Sequence, residues 1–145
     1  MSTIVGVIHP LPEKCLARFF ESGKTIFFKP ATLYRKIEPG MKFFFYRSGK
    51  DRGIVGEAII AGFDLSDNPW GFLSMYGDKV FMTKTELCEY LLLLERKWTH
   101  ETKRKVEHRK RVWIAYELSG IVKYRTPKVP RFLIPVSGRY AIADD

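Results

Sequence analysis

The sequence predicts a mixed α+β fold, in which about six strands form a small, mostly antiparallel β-barrel with two or three helices packed across its openings. Most predicted strands follow one another through short turns, whereas a doubly wound parallel sheet would need a helix between successive strands. The chain has 145 residues, of which 46% are hydrophobic. That length suits one hydrophobic core, so we expect a single domain over residues 1–145.

The first half of the chain is predicted to hold four strands and one helix. A short apolar strand over residues 4–8 precedes a helix that begins at Pro12 and is ended by Gly23. Apolar residues recur at helical spacing between these two positions. Three more strands are predicted over residues 25–29, 42–47 and 54–63. The strand at 42–47 is apolar on both faces, which is typical of a central strand.

The second half of the chain is predicted to hold one loop, one helix and three closing strands. Residues 64–78 contain Pro69 and Gly71 and are predicted to form an irregular loop. Thr83 and Glu86 have the spacing of a capping box, which predicts a helix from there to about Trp98. The closing strands are predicted over residues 112–118, 122–124 and 132–136.

The net charge of +9 predicts a polyanionic partner, with nucleic acid as the first candidate. Residues 97–111 hold seven Lys or Arg residues against two Glu residues. Clustered cations of this kind bind phosphates in a salt-dependent way. The predicted phosphate contacts are Lys97, Lys103, Arg104, Lys105, Arg109 and Arg111. The alternative is a solvated helix face of a heat-adapted protein, which the absence of Gln and the single Asn also suggest.

Other classes of protein are not indicated by the sequence. Apolar runs are far shorter than the ~18 residues of a membrane-spanning helix, and the N-terminus lacks the features of a signal peptide. A cytoplasmic protein without a membrane partner is therefore expected. Cys15, Cys88 and the three histidines lack the spacing of metal ligands. Gly23-Lys24-Thr25 lacks the earlier glycine of a phosphate-binding loop, so neither a metal nor a cofactor is predicted.

Several short motifs resemble those of ASCH-type domains. In residues 9–29 (HPLPEKCLARFFESGKTIFFK) a helix ends in Ser-Gly and a lysine-bearing strand follows, as at the opening of an ASCH domain. Residues 37–46 are similar to the passage of Pro-Gly, apolar strand and Tyr that ASCH and EVE domains share. The resemblance extends over roughly residues 4–140 and implies an uncharacterised archaeal single-domain branch of the PUA-like superfamily. That fold is a small pseudo-β-barrel often used to bind RNA or a modified base.

The resemblance also implies candidate site residues. Lys24, Thr25 and Lys29 match cleft-lining positions of the ASCH motif, and Tyr46 and Arg47 end the following strand. Some members of the family hydrolyse modified nucleosides with a lysine and a glutamate of this motif.

The glutamate of the motif is missing from its expected place. Phe27 and Phe28 occupy that neighbourhood, which leaves Glu57 on a later strand as the candidate substitute.

We therefore predict a module that binds RNA or DNA through its basic surface and receives one base in a cleft near Lys24, Lys29 and Arg47. Trp70 or Tyr76 would stack on that base, although both could instead plug one end of the barrel. The basic segment at 97–111 and the cleft are expected to share one face of the molecule.

Two alternatives remain open. The first is a small hydrolase acting on a modified nucleoside, in which Lys24 activates water or a nucleophile and Glu57 moves the proton. The second is a protein-interaction domain for an acidic partner. We favour binding over catalysis, and the sequence leaves the oligomeric state undetermined.

Overall fold

The computed structural model describes residues 3–31, 35–101, 112–135 and 137–143, with residues 97–101 described by their backbone alone. The strands are β1 (Ile4–Pro10), β2 (Ile26–Pro30), β3 (Lys42–Arg47), β4 (Gly53–Ser66), β5 (Trp113–Lys128) and β6 (Arg139–Ile142). The helices are α1 (Glu13–Glu21), α2 (Trp70–Tyr76) and α3 (Lys84–Glu101), and a 3₁₀ turn spans Gly77–Lys79. The predicted mixed α+β class is therefore confirmed.

The six strands form one open, mostly antiparallel sheet. Their order is β2-β5-β4-β3-β1-β6, and only the β1–β3 pair is parallel among the described strands. The prediction of a barrel is wrong in one respect, because no strand pairing joins β2 to β6 in the described ranges. The sheet curls instead, and a side-chain hydrogen bond connects the end of β2 to the chain just before β6. Lys29 Nζ at the end of β2 donates to the carbonyl of Ser137 at 2.8 Å, just ahead of β6.

The concave face of the curled sheet is filled by aromatic rings. Phe27, Phe43 and Tyr116 surround the buried His9, whose ring centroid lies 5.4–5.9 Å from each of theirs. Phe19 of α1 packs on the same cluster, so α1 covers one opening of the curl. Alternation along β3 turns Phe43 and Phe45 into this core and leaves Lys42 and Phe44 on the convex face.

The helices α2 and α3 cover the other side of β2 and β5. Phe28 contacts Phe72 of α2 with ring centroids 5.7 Å apart, and Trp113 contacts Tyr90 of α3 at 6.0 Å. None of the helices within the described residues is long and apolar enough to cross a membrane.

The predicted capping box at the start of α3 is confirmed. The Thr83 N–H donates to Glu86 Oε1 at 2.9 Å, and the Glu86 N–H donates to Thr83 Oγ1 at 3.1 Å. The same carboxylate accepts two hydrogen bonds from Arg18 of α1, at 2.6 and 2.9 Å. Glu86 therefore caps the N-terminus of α3 and also links α3 to α1.

Three predictions for the second half of the chain are wrong. Residues 64–78 do not form a loop, because β4 continues to Ser66 and α2 begins at Trp70. The strands predicted at 112–118 and 122–124 are one strand, β5, which passes through Gly120 at a φ of +58°. Residues 132–135 are not a strand, and the last strand is β6. The pairing of β4 with β5 has three register shifts, and irregularities of this kind bend and twist long strands.

Candidate nucleic-acid interface

A groove of about 540 Å³ lies on the convex face of the sheet. Its floor includes Ile8 of β1 and Phe44 of β3, and the chain that follows β5 forms a wall. Three rings and three cations line it, and we call this feature the basic groove: Phe44, Tyr124, Phe132, Lys42, Lys128 and Arg131. The groove exists because alternation along β3 places Lys42 and Phe44 on the face opposite the core.

The described lining of the basic groove contains three cations and no carboxylate. Two cations in or next to the groove lie against aromatic rings. Lys128 Nζ is 4.9 Å from the centre of the Tyr124 ring, and the Arg139 guanidinium is 3.4 Å from that of Phe132. Cation–π contacts of this kind hold the rings and charges in one surface.

The carboxylate of Glu57 on β4 lies beside the basic groove, next to two of its lining side chains. Lys42 Nζ is 2.8 Å from Glu57 Oε2, and the Tyr124 hydroxyl donates to Glu57 Oε1 at 2.7 Å. The hydrogen bond from Lys42 and then that from Tyr124 lower the pKa of Glu57 below its usual value. Glu57 is therefore a charged acceptor at neutral pH.

The structure does not bring the predicted cleft residues together. Lys24 and Lys29 lie at opposite ends of β2, and the Lys24 ammonium donates to the carbonyl of Asp78. Thr25 lies in the same region as Lys24. Its N–H donates to the carbonyl of Lys79 at 3.0 Å, next to the Asp78 carbonyl that Lys24 contacts.

The residues of the hydrolase alternative are also separated. Lys24 lines a second cavity of about 350 Å³, together with Arg18 and Asp78. Glu57 is bound to Lys42 and Tyr124 at the basic groove. In the described structure, Lys24 and Glu57 therefore do not share a site in which the lysine could activate a nucleophile and the glutamate could move a proton.

Tyr46 and Arg47 are occupied by structural contacts. Tyr46 is 8% exposed and packs with Ile8 and Ala141 in a small apolar cluster. The Arg47 side chain donates to the carbonyl of Asp51 at 3.0 Å and lies 3.7 Å from the Glu13 carboxylate. Neither residue lines the basic groove.

Trp70 and Tyr76 both belong to α2 and not to a loop. Trp70 is 39% exposed at the start of the helix, whereas the Tyr76 hydroxyl donates to Asp64 on β4. Burial and this hydrogen bond raise the pKa of Tyr76. No residue of α2 lines the basic groove, so neither Trp70 nor Tyr76 is placed to stack on a base there.

The predicted basic segment lies largely outside the described residues. This applies to Lys103, Arg104, Lys105, Arg109 and Arg111, and Lys97 is described by its backbone alone. The expectation that this segment shares a face with a binding cleft therefore stays a prediction.

Lys29 is half-buried between β2 and the start of β6. Its Nζ lies 2.8 Å from the Ser137 carbonyl and 3.5 Å from His9 Nδ1. Burial lowers the pKa of Lys29 from 10.5 to about 8. Burial, with a smaller contribution from Lys29, also lowers the pKa of His9, so the neighbouring ring is neutral at pH 7.

We expect Lys29 to make stability increase with pH in the mildly alkaline range. Between pH 8 and 10.5 the unfolded chain keeps the Lys29 proton while the folded chain releases it, so alkali favours folding. The free energy of unfolding should rise by up to about 1.4 kcal/mol per pH unit relative to Lys29→Met. Urea unfolding of both proteins from pH 7.5 to 9.5 measures this difference. Parallel pH profiles of the two proteins would contradict the lowered pKa of Lys29.

The curled sheet, with α1 across its opening and two covering helices, is similar in fold to solved ASCH-domain structures. Three crystal structures of ZmASCH from Zymomonas mobilis, the protein itself and two point variants, are similar to this chain with TM-scores of 0.65–0.68. They are 11–12% identical in sequence, and the alignments cover 93–97% of this chain and 88–91% of theirs. The predicted resemblance is confirmed at the level of the fold.

The chain belongs to the family described as a domain of unknown function, DUF365, which it matches over residues 4–143. It is also similar to the uncharacterized protein MJECS03 of the archaeon Methanocaldococcus jannaschii. The two are 33% identical over 105 residues, which is 72% of this chain and 93% of that protein.

Proposed function

We propose that this chain is an RNA-binding module that holds a single strand in the basic groove. The observation that carries the proposal is the coincidence of Phe44, Tyr124 and Phe132 with three cations in one groove. Proteins that bind single strands combine these two elements, since the rings stack on bases and the cations follow the phosphates. The resemblance to ASCH-type domains favours RNA over DNA.

The shape of the groove favours an unpaired strand over a duplex. The faces of bases inside a duplex are covered by their neighbours, so half-buried rings at the bottom of a groove can stack only on bases that have left a helix. Phe44 and Tyr124 are half-buried in this way, whereas Lys128 and Arg131 are exposed. This arrangement allows bases to enter the groove while the phosphates remain near the exposed cations.

Removing the two exposed cations should weaken RNA binding and its dependence on salt. For Lys128→Ser/Arg131→Ser we expect at least a tenfold loss of affinity for a 12-nucleotide single-stranded RNA in 50 mM salt. The slope of log affinity against log salt should fall by about 1.4, since each phosphate contact on a single strand contributes about 0.7. Fluorescence anisotropy with a labelled strand measures both quantities.

The matched control is Lys50→Ser/Lys79→Ser, which removes the same charge from exposed positions outside the groove. It should reduce affinity much less and leave the salt slope within about 0.3 of the original value. Equal losses in the two double variants would show that net charge, and not the groove, binds RNA. No binding of RNA by the unaltered protein in 50 mM salt would overturn the proposal, and tight binding of DNA alone would overturn the choice of RNA.

A further inference from the structure

Glu57 is an unexpected residue for a surface that binds phosphates. Its negative charge reduces the attraction of Lys42 for a phosphate, because the two groups are 2.8 Å apart. A groove that served only to hold the backbone of a nucleic acid would gain by losing this carboxylate. Its position beside two groove-lining side chains therefore calls for a different role.

The carboxylate of Glu57 keeps capacity for further hydrogen bonds. A carboxylate has about four acceptor sites. Lys42 occupies one on Oε2 and Tyr124 occupies one on Oε1. A quarter of the side chain, 25%, remains exposed, and the Lys42 side chain is 46% exposed. The two residues thus present paired acceptors directly beside a cationic donor.

This arrangement matches the Watson–Crick edge of one base. Guanine carries two adjacent donors, N1–H and N2–H, next to the acceptor O6. A carboxylate can accept from both donors while an ammonium donates to O6, which gives charge-assisted bonds of good geometry. Adenine and cytosine offer one amino group beside a bare ring nitrogen, and uracil offers one N–H between two carbonyls, so each would place an acceptor against the carboxylate.

We propose that Glu57 and Lys42 read an unpaired guanine in an RNA strand held by the basic groove. This inference rests on the proposed function. Glu57 accepts from N1–H and N2–H, Lys42 donates to O6, and the ring of Phe44 or Tyr124 supplies a stacking surface. Because the Watson–Crick edge is engaged, a guanine paired in a duplex does not bind in this way.

The test uses four labelled RNAs of nine nucleotides, each an oligouridine with G, A, C or U at its centre. We expect the unaltered protein to bind the G strand about tenfold more tightly than the others, the usual effect of one good bidentate contact to a base. Annealing the G strand to its complement should abolish the preference. Glu57→Gln should bind all four strands within about threefold of one another, without weaker binding of the U strand, since a negative charge has been removed.

Two further variants complete the design. Lys42→Met removes the donor to O6 and should also lose the preference, so the test does not depend on one variant that folds well. Glu21→Gln removes a carboxylate from the exposed end of α1 and should keep the full preference. Equal binding of all four strands by the unaltered protein, or retention of the preference by Glu57→Gln, overturns the inference and leaves the proposed function standing. Failure to bind any strand overturns both.

Discussion

An alanine at Gly138 is expected to cost about 3–5 kcal/mol of the free energy of unfolding. Gly138 has a φ of +89°, which side chains rarely adopt. A Cβ there would lie 2.2 Å from His9 Nδ1 and 2.9 Å from the carbonyl oxygen of Ile8. His9 is 1% exposed and enclosed by aromatic rings, so its imidazole has no space into which to retreat. Both the backbone conformation and the overlap therefore oppose the substitution.

Gly23→Ala separates the cost of the backbone conformation from the cost of the steric overlap. Gly23 has a φ of +71°, but no atom lies within 4 Å of the position of a Cβ. Its replacement should cost about 1–2 kcal/mol, from the backbone alone. Urea unfolding monitored by circular dichroism compares the two variants. If Gly138→Ala proved no less stable than Gly23→Ala, His9 would not be packed against the chain at Gly138 as described.

Local signals in the sequence predicted the parts of the fold that local chemistry determines. Thr83 and Glu86 form their capping box because its hydrogen bonds depend only on residues three apart in the chain. The strand at 42–47 was correctly predicted for a similar reason, since an apolar run bounded by turns favours extended backbone. The side of this strand that faces the core could not be predicted in the same way, since the run is apolar on both faces. Phe44 lines the basic groove and not the core, because only the curl of the sheet decides which side of β3 is covered.

The candidate site depends on contacts between distant parts of the chain. The cations after residue 119 are separated by uncharged residues, so they do not form a basic run that the sequence pattern could reveal. The long strand β5 carries them beside β4, where Tyr124 reaches Glu57 across 67 positions of sequence. The denser run at 97–111 is the stronger signal in the sequence. Lys24 and Lys29 are close in sequence, but Lys24 precedes β2 and Lys29 lies near the far end of that strand, so extended backbone separates their side chains.

The second large effect is expected at Phe27, near the place where the ASCH motif has a glutamate. Phe27 is 4% exposed, and its ring centroid lies 5.1 Å from that of Phe43 and 5.0 Å from that of Phe81. Phe27→Ala should lower the free energy of unfolding by about 3–5 kcal/mol, because it removes a large buried side chain and leaves a cavity. Urea unfolding measures the loss. Phe27→Leu, which keeps most of the apolar volume, should lose much less.

Phe132→Ala is the matched control for Phe27→Ala, since it removes the same side chain from the basic groove and not from the core. It should cost about 1 kcal/mol of stability, because a half-exposed ring buries less apolar surface, and it should weaken RNA binding by removing a stacking surface. A reversed order of stabilities would contradict the placement of both rings. With the expected order, the interior beside His9 is a hydrophobic core, where an unpaired catalytic carboxylate would be costly to bury. The carboxylate of Glu57 differs in this respect, because it lies on the convex face, where Lys42 and Tyr124 stabilise its charge.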